Sequence, residues 1–338
     1  MTSPFLFICK EVGKSDKLVL MKHYMETLKE LSEKNGPLCV GLDTDPSYIP
    51  ENILKEFPSP SAAVLAYNKE IIKRVASDKS ACCCKIQIAY YEAMGLEGLS
   101  AYKETIKAVK AAGLVAISDI KRGDIADTAK AYARAHFGKN SDFETDIITV
   151  NPYMGFDTLK PFTEYCKPAE MAKISGLSSG EKGIFVLLRT SNPGMVDIEQ
   201  QELKTGGRVL DKTGSELERI SAEFKEIYKN QACSPVGAVV GCTEESDARA
   251  IRDAYPDIFF LIPGYGAQGG AARIAATLLE KAGGTVNSSR GIICAWKKDS
   301  SLKEKIGSAS LTMADIADSA ARAALASKED LLNAKASL

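Results

Sequence analysis

The charged residues Asp119, Lys121 and Asp124 lie close together in the segment A-I-S-D-I-K-R-G-D-I-A-D-T at 116–128. The apolar run before Asp119 predicts a buried strand, and residues two apart on a strand leave the same face, so Asp119 and Lys121 are expected to face each other. Holding a cation between two carboxylates costs free energy, because all three charges must be desolvated. This cost favours a chemical role over a purely structural one. A solvated surface ion-pair cluster would show the same spacing. The segment is therefore a candidate active site, and the rest of the chain must distinguish it from a surface ion-pair cluster.

The composition favours a globular chain that acts on a small molecule. Its 338 residues are 45% hydrophobic, with 43 basic against 44 acidic residues and a formal net charge of −1. Because basic and acidic residues are nearly equal in number, the composition predicts neither a nucleic-acid surface nor a polybasic membrane patch. The N-terminal M-T-S-P-F-L-F-I-C-K-E-V is too short for a secretory signal, and no apolar run reaches about 18 residues. We expect a cytoplasmic protein.

The cysteines and histidines restrict the metal and redox chemistry that the sequence predicts. The nine cysteines form no C-x-x-C pair, and most lie in apolar runs, where a free thiol behaves as a small hydrophobic group. This usage indicates a reducing compartment. His23 and His136 are far apart in the sequence, so no His-rich zinc site or histidine-based triad can be assembled, and we expect no metal site.

Apolar runs that alternate with helical patterns predict an α/β fold with a parallel sheet, and eight such runs are the number that closes a TIM barrel. We predict a single (β/α)8 TIM barrel over residues 1–338, with an N-terminal helix at 17–34. No linker or composition shift divides the chain. The predicted strands lie at 38–43, 81–88, 114–117, 146–151, 183–194, 236–241, 258–262 and 289–295.

Two polar segments read as insertions into this barrel. Residues 167–182 after strand four, which contain S-G-L-S-S-G, predict an exposed insertion. Residues 195–213 after strand five are polar and irregular, and they are long enough to form a mobile lid. Of the helix starts, Ser61 is predicted to cap a helix that ends near Val75.

Active sites of such barrels are built from residues at the C-terminal ends of the strands. Polar side chains appear there after most of the predicted strands, which weakens the interpretation as a chance charge cluster. They are Asp43, Lys85, Asp119, Lys121, Asn151, Ser191, Asn192, Gln268 and Arg290.

The loop P-G-Y-G-A-Q-G-G at 263–270 follows strand seven and opens a helix. Its glycines free backbone N–H groups to approach an anion, and Arg290 after strand eight would add a bidentate contact. Glycines after a strand are by themselves more often a turn. The loops after strands seven and eight are nevertheless the customary phosphate site of a barrel. We therefore predict a phosphorylated substrate.

Seven short motifs lie at or near the ends of the predicted strands. They are G-L-D at Asp43, K-I-Q at Lys85, D-I-K-R-G-D-I from Asp119, N-P-Y-M-G from Asn151, T-S-N-P-G from Thr190, P-G-Y-G-A-Q-G-G from Pro263 and S-R-G from Ser289. Through these motifs the chain resembles, over nearly its whole length, the orotidine 5′-monophosphate decarboxylase family, in its longer branch. One departure is Ala126, where the family usually has Gly or Pro.

The resemblance implies conversion of orotidine 5′-monophosphate to uridine 5′-monophosphate and CO2, the last step of pyrimidine synthesis, without a metal or organic cofactor. Loss of CO2 leaves a carbanion at pyrimidine C6, which Lys121 would stabilise and then protonate. Asp119 would crowd the departing carboxylate. Asp119 and Asp124 would keep Lys121 protonated. Lys85 and Asp43 would hold the ribose hydroxyls.

The resemblance also assigns the rest of the substrate site. Ser191 would bond the amide edge of the pyrimidine, and Gln268 and Arg290 would hold the phosphate with Tyr265 nearby. It further implies a homodimer in which Asp124 and Ile125 reach the partner's site. Pro263 and Thr128 complete the expected substrate contacts.

Three other functions stay open at this point. A strand-end lysine could form a Schiff base, as in a class I aldolase, although that chemistry needs a neutral amine. A related 3-keto-hexulonate-phosphate decarboxylase-like barrel also uses D-x-K-x-x-D, but with magnesium. The barrel could also bind a nucleotide phosphate without catalysis. The roughly 37 residues before the first strand are too few for a fused phosphoribosyltransferase domain, so we expect a monofunctional enzyme.

Overall fold

The computed structural model describes residues 22–266 and 271–338. Within these ranges eight parallel strands pair in chain order, and β8 pairs with β1 to close the barrel. The prediction of a (β/α)8 TIM barrel is confirmed. The strands are β1 Leu38–Gly41, β2 Cys83–Gln87, β3 Val115–Arg122, β4 Ile147–Val150, β5 Gly183–Arg189, β6 Val236–Val240, β7 Phe260–Ile262 and β8 Gly284–Ser288.

Helices connect the strands and surround the barrel. None of those in the described ranges is long and apolar enough to cross a bilayer. The predicted N-terminal helix is present, although the first part of its predicted range lies outside the described residues. The α-helices are α1 Tyr24–Asn35, α2 Glu51–Leu54, α3 Pro60–Ser77, α4 Ile88–Glu92, α5 Gly95–Ala111, α6 Ala126–Phe137, α7 Lys160–Thr163, α8 Ala169–Ile174, α9 Val209–Ile227, α10 Glu245–Ala254, α11 Ala271–Leu278, α12 Arg290–Ile293, α13 Lys303–Gly307 and α14 Met313–Ala336.

The barrel interior is apolar at the end where the strands begin. Side chains alternate between the two faces of each strand, and the inward set includes Cys39, Cys83, Val115 and Phe185. Helix α1 packs Met25 against this end, so the barrel is closed there. Outward side chains of the strands form a second core with the surrounding helices. At the opposite end, where the strands finish, the inward positions carry polar and charged side chains, among them Lys85 and Asp119.

The prediction for the eighth strand was wrong. The strand is Gly284–Ser288, and the apolar run after Arg290 forms the short helix α12, with Ile292 and Ile293 buried in the outer core. A short apolar run between turn signals cannot distinguish a strand from a buried helical turn. The true strand was overlooked because its inward positions are the polar Thr285 and Asn287.

The two predicted insertions are more ordered than expected. Residues 167–182 contain helix α8, and Lys182 is buried, with its ammonium 2.8 Å from the carbonyl of Thr145. The segment after β5 contains the 3-10 helix Pro193–Asp197, and α9 begins at Val209, inside the predicted irregular stretch. Helix α3 is capped by Ser59 rather than Ser61, because Pro60 takes the first helical position.

Candidate active site

Four charged side chains form an alternating array at the C-terminal end of the barrel. Each lies at the end of its strand on the inward set of positions, which is why they meet. The Lys85 ammonium is 3.0 Å from Asp43 Oδ1 and 2.9 Å from Asp119 Oδ2. The Lys121 ammonium is 2.6 Å from Asp119 Oδ1, so the predicted pairing of Asp119 with Lys121 is present. The order along the array is carboxylate, ammonium, carboxylate, ammonium.

Burial divides the array into a fixed part and an accessible end. Asp119 and Lys85 are buried, whereas the Lys121 side chain is 44% exposed. Burial alone would raise the pKa of Asp119, but the charges of Lys85 and Lys121 outweigh it and hold that pKa well below its usual range. Burial would likewise lower the pKa of Lys85, but Asp119 and Asp43 raise it above its usual value. Asp119 and Lys85 are therefore ionised at neutral pH, and Lys121 faces the open end.

Three uncharged side chains that were not among the predicted site residues complete the array. Gln87 Nε2 lies 3.0 Å from Asp119 Oδ2, and Thr149 Oγ1 lies 2.8 Å from Asp119 Oδ1. Ser289 Oγ donates to Asp43 Oδ2 at 2.7 Å. A signal existed for the first two, because each continues the inward positions of its strand.

The backbone at Lys121 has an unusual conformation. Its φ is 44°, in the left-handed region, and the pairing of β3 with β4 shifts register between Ser118 and Arg122. The Lys121 N–H donates to Thr149 Oγ1 at 2.9 Å and is thereby held in place. Such a conformation costs of order 1–3 kcal/mol and persists only where the surroundings impose it. The accessible lysine of the array therefore coincides with a backbone conformation that its surroundings impose.

Asp124, Ile125 and Thr128 lie apart from the array. Asp124 Oδ1 accepts the Ile125 N–H at 2.8 Å, and within the described ranges Asp124 forms no ion pair. The expectation that Asp124 helps to hold the charge of Lys121 is therefore not met inside one chain. Ile125 is 58% exposed, and Thr128 is exposed too. Ala126 takes a φ of 47°, a conformation that a glycine would adopt more easily.

Ser191, Pro263 and Tyr265 line a cavity of about 290 Å³ between the ends of β5, β6 and β7. Gly241 lies between them, since a Cβ there would be 3.1 Å from both Ser191 Cβ and Pro263 Cγ. The Tyr265 hydroxyl, however, donates to Asp330 Oδ2 at 2.5 Å, on α14. Tyr265 therefore lies after β7, at the edge of this cavity, but its hydroxyl is bonded to α14.

Of the two residues predicted to hold the phosphate, Arg290 is described by the structure and Gln268 lies outside the described residues. Arg290 is exposed and follows the C-terminal end of β8 by two residues. Although the eighth strand was misplaced, Arg290 still stands at the end of the barrel that bears the charge array.

A cavity of about 640 Å³ lies at the ends of β4 and β5 and is lined by the segment that joins β5 to α9. Asn151 and Asn192, two of the predicted strand-end residues, line it together with Thr190 and Glu199. Its other lining residues are mostly apolar, and none of the four charged array residues is among them.

One group with metal-ligand chemistry occurs in the described ranges, at the opposite end of the barrel. His23, Glu26 and Cys233 are buried, and their ligand atoms lie within 4.8 Å of one another. His23 Nδ1 accepts the Glu26 N–H, and its Nε2 bonds the Cys233 carbonyl at 3.1 Å. Glu26 accepts from the N–H groups of Ala232 and Cys233. Since these atoms already have protein partners, the cluster joins α1 to the loop before β6.

Comparison with known proteins gives a consistent result. A family model described as Orotidine 5'-phosphate decarboxylase / HUMPS family matches residues 36–304. The orotidine 5'-phosphate decarboxylase of Clostridium botulinum (strain Langeland) is 49% identical over 275 residues, covering 81% of this chain and 90% of the relative. The protein of the same name from Clostridium novyi (strain NT) is 47% identical over 275 residues, with the same 81% and 90% coverage.

Solved structures also match. Leishmania donovani OMP decarboxylase has a TM-score of 0.59 and 27% identity, with 88% of this chain and 99% of that chain covered. Leishmania donovani UMP synthase has a TM-score of 0.61 and 29% identity, with 88% of this chain but 57% of that longer chain covered. The range of the family match contains all eight strands and the whole charge array.

Proposed function

The chain belongs to the orotidine 5'-phosphate decarboxylase / HUMPS family, and we propose that it converts orotidine 5′-monophosphate to UMP and CO2 in pyrimidine biosynthesis. The observation that carries this proposal is the alternating array of Asp43, Lys85, Asp119 and Lys121 at the open end of the barrel. An array with one accessible ammonium suits a reaction in which a substrate carboxylate leaves and negative charge develops beside it.

Lys121 is the proposed acid. Loss of CO2 leaves an electron pair on pyrimidine C6, and the C6 carbanion is stabilised by the Lys121 ammonium and then takes a proton from it. Asp119 lies next to Lys121 and carries negative charge, so it would repel the substrate carboxylate until CO2 departs. Since the developing charge is met by an ammonium already in place, little reorganisation is needed during the reaction. The proposal requires no metal.

The rest of the substrate would extend along the strand ends. Lys85 and Asp43 would hold the ribose hydroxyls, and Ser191 with Pro263 would meet the pyrimidine. Arg290 and Gln268 would hold the phosphate. Tyr265 could contribute its hydroxyl only by exchanging the Asp330 carboxylate for the phosphate. Binding energy from the phosphate can then be used to position the distant reacting centre.

We propose a homodimer in which Asp124, Ile125 and Thr128 complete the partner's site. These residues are close in sequence to Lys121, Ile125 and Thr128 are exposed, and within the described ranges Asp124 forms no ion pair with the array of its own chain. Apolar side chains are exposed after three successive strands, β2, β3 and β4, with Leu96 in the first turn of α5 86%, Ile125 58% and Tyr153 74% exposed. Exposed apolar patches of this kind are typical of interfaces. A second copy would cover them and bring Asp124 to an array.

The compartment and the extent of the domain are also proposals. The eight described cysteines are all free, which supports a reducing compartment and hence the cytoplasm. Residues 1–338 are proposed as one domain, because α1 closes the bottom of the barrel and α14 contacts the loop after β7 through Asp330.

The test incubates purified protein with orotidine 5′-monophosphate in the presence of EDTA and follows the decrease in substrate absorbance. Turnover is expected to persist in the chelator and to fall by at least about 10³-fold in Lys121→Ala, because that variant loses both the charge and the proton donor. Lys107→Ala, an exposed lysine on α5, is the matched control and should retain activity.

Other outcomes separate the competing functions. Turnover that stops in EDTA would favour the magnesium-dependent barrel. UMP binding without turnover would favour a non-catalytic binder. A borohydride-trapped adduct with a keto substrate would favour a Schiff base, which the 2.6 Å pairing of Lys121 with Asp119 opposes.

A further inference from the structure

Thr190 directly precedes Ser191 and is bound from one side by a glutamate of the following segment. Glu199 Oε2 accepts the Thr190 N–H at 2.9 Å, and Glu199 Oε1 accepts the Thr190 hydroxyl at 2.7 Å. A carboxylate suits this position because it offers two acceptor oxygens to two donors. Both hydrogen bonds have an ionised acceptor, which makes them stronger than neutral ones.

Arg189 holds the same residue from the other side. Its Nη1 donates to the Thr190 carbonyl at 2.8 Å and also to the carbonyl of Gly241. Its Nη2 is 2.7 Å from Asp247 Oδ2. Arg189 is buried, so this anchor is part of the barrel framework. The N–H, hydroxyl and carbonyl of Thr190 are thus all bound, and the peptide that leads into Ser191 has little freedom.

Glu199 itself is fixed by the segment between β5 and α9. Its N–H donates to the Met195 carbonyl at 2.9 Å, and its carbonyl accepts the Leu210 N–H from the first turn of α9 at 3.0 Å. Glu199 and Thr190 also face the same 640 Å³ cavity. The glutamate therefore transmits the conformation of this whole segment to the residue before Ser191.

We propose that Glu199 is a positioning residue that couples the fold of the β5–α9 segment to pyrimidine recognition by Ser191. The inference rests on the proposed function, in which Ser191 binds the pyrimidine. Glu199 fixes Thr190, and the fixed Thr190 sets the position of the Ser191 hydroxyl. Recognition of the base then depends on Glu199, whereas recognition of the ribose and phosphate, which uses other strand ends, does not.

The experiment compares binding of UMP with binding of ribose 5-phosphate, which lacks the base. Glu199→Ala is expected to weaken UMP binding on the order of tenfold and to leave ribose 5-phosphate binding unchanged. Glu199→Gln should stay close to wild type, since its amide oxygen can accept the Thr190 N–H while its amide nitrogen donates to the Thr190 hydroxyl. Glu202→Ala, an exposed carboxylate of the same segment, is the matched control.

Thr190→Val keeps the test decisive if Glu199→Ala does not fold. It removes one of the two hydrogen bonds and should weaken UMP binding by a smaller factor, again without affecting ribose 5-phosphate. Unchanged UMP binding in these variants, or an equal loss for both ligands, would overturn the proposal. If the wild-type protein neither binds UMP nor turns over substrate, the proposed function is wrong. That conclusion does not depend on the Glu199 variants.

Discussion

Asp119 accepts hydrogen bonds from two ammonium groups, one amide and one hydroxyl. Oδ1 takes Lys121 and Thr149, and Oδ2 takes Lys85 and Gln87, so the acceptor capacity of the carboxylate is filled. A buried charge with one partner removed typically costs several kcal/mol, so each member of this network supports the others. The consequence is a carboxylate whose position and charge are both fixed before a substrate arrives.

The two histidines predict how stability depends on pH. Burial lowers the pKa of His23 to about 4, despite the opposing effect of the Cys233 carbonyl, and burial with the nearby charge of Arg122 lowers the pKa of His136 to about 4. The unfolded chain binds these protons near pH 6.5, so between about pH 6.5 and 4 it holds more protons than the folded chain. The free energy of unfolding should therefore fall on acidification, by about 2 kcal/mol per histidine at pH 5.

Urea unfolding between pH 7.5 and 5 measures this effect. His23→Asn keeps a side-chain acceptor for the Glu26 N–H but cannot titrate, so it should flatten the pH dependence while lowering stability at neutral pH. A variant that also carries His136→Gln should be flatter still. An unchanged slope in that double variant would contradict the assignment to these histidines.

At the scale of elements, the geometry of the charge array depends on how closely β1 and the residues after β8 approach each other. A Cβ on Gly41 would lie 1.9 Å from Ser289 Oγ and 2.9 Å from Asn287 Oδ1. The glycine of the G-L-D motif therefore leaves room for the serine that bonds Asp43. The requirement is one of space, since Gly41 does not have a positive φ.

Gly41→Ala should displace the Ser289 side chain and break its hydrogen bond to Asp43. We expect kcat/KM to fall on the order of tenfold and stability to fall by roughly 1–3 kcal/mol through overpacking. Steady-state kinetics and thermal melting measure the two effects. Adding Ser289→Gly should recover stability, because it removes the steric clash. It should not recover activity, because the hydrogen bond to Asp43 remains absent. Gly307→Ala, which has open space around it, is the control.

At the scale of the whole molecule, the single chain leaves the site open on one side. Lys121 is exposed toward the same end of the barrel as Asp124 and the apolar side chains of Leu96, Ile125 and Tyr153. A two-fold dimer places the same patch of both chains in contact. In the proposed dimer each array would receive Asp124 from the other chain, and within the described part of its own chain Asp124 forms no ion pair.

Mixed dimers test this arrangement. Lys121→Ala and Asp124→Ala should each be nearly inactive alone. When they are mixed and allowed to exchange, half of the dimers are hybrids with one intact site, so about a quarter of the wild-type activity should return. Activity assays after co-refolding measure the recovery, and each variant refolded alone is the control. No recovery, with hybrids present, would place Asp124 in the site of its own chain.

The sequence determined the barrel and the charged core of its site, because both depend on local patterns. Alternation of strands and helices was sufficient for the fold, and the spacing Asp119-x-Lys121 was sufficient to place two side chains together. Asp43 and Lys85 were recognisable because each is a charged side chain at or near the C-terminal end of an apolar strand.

The tertiary structure decided what depends on contacts between distant segments. The bonds of Gln87, Thr149 and Ser289 exist only because closure of the barrel fixes the register between strands that are far apart in sequence. The eighth strand was misread for the same reason, since its polar inward residues are stable only inside a closed barrel. The left-handed conformation of Lys121 likewise follows from the shifted pairing of β3 with β4. A local pattern records which face of a strand a residue occupies, and only the closed barrel determines which residue it meets there.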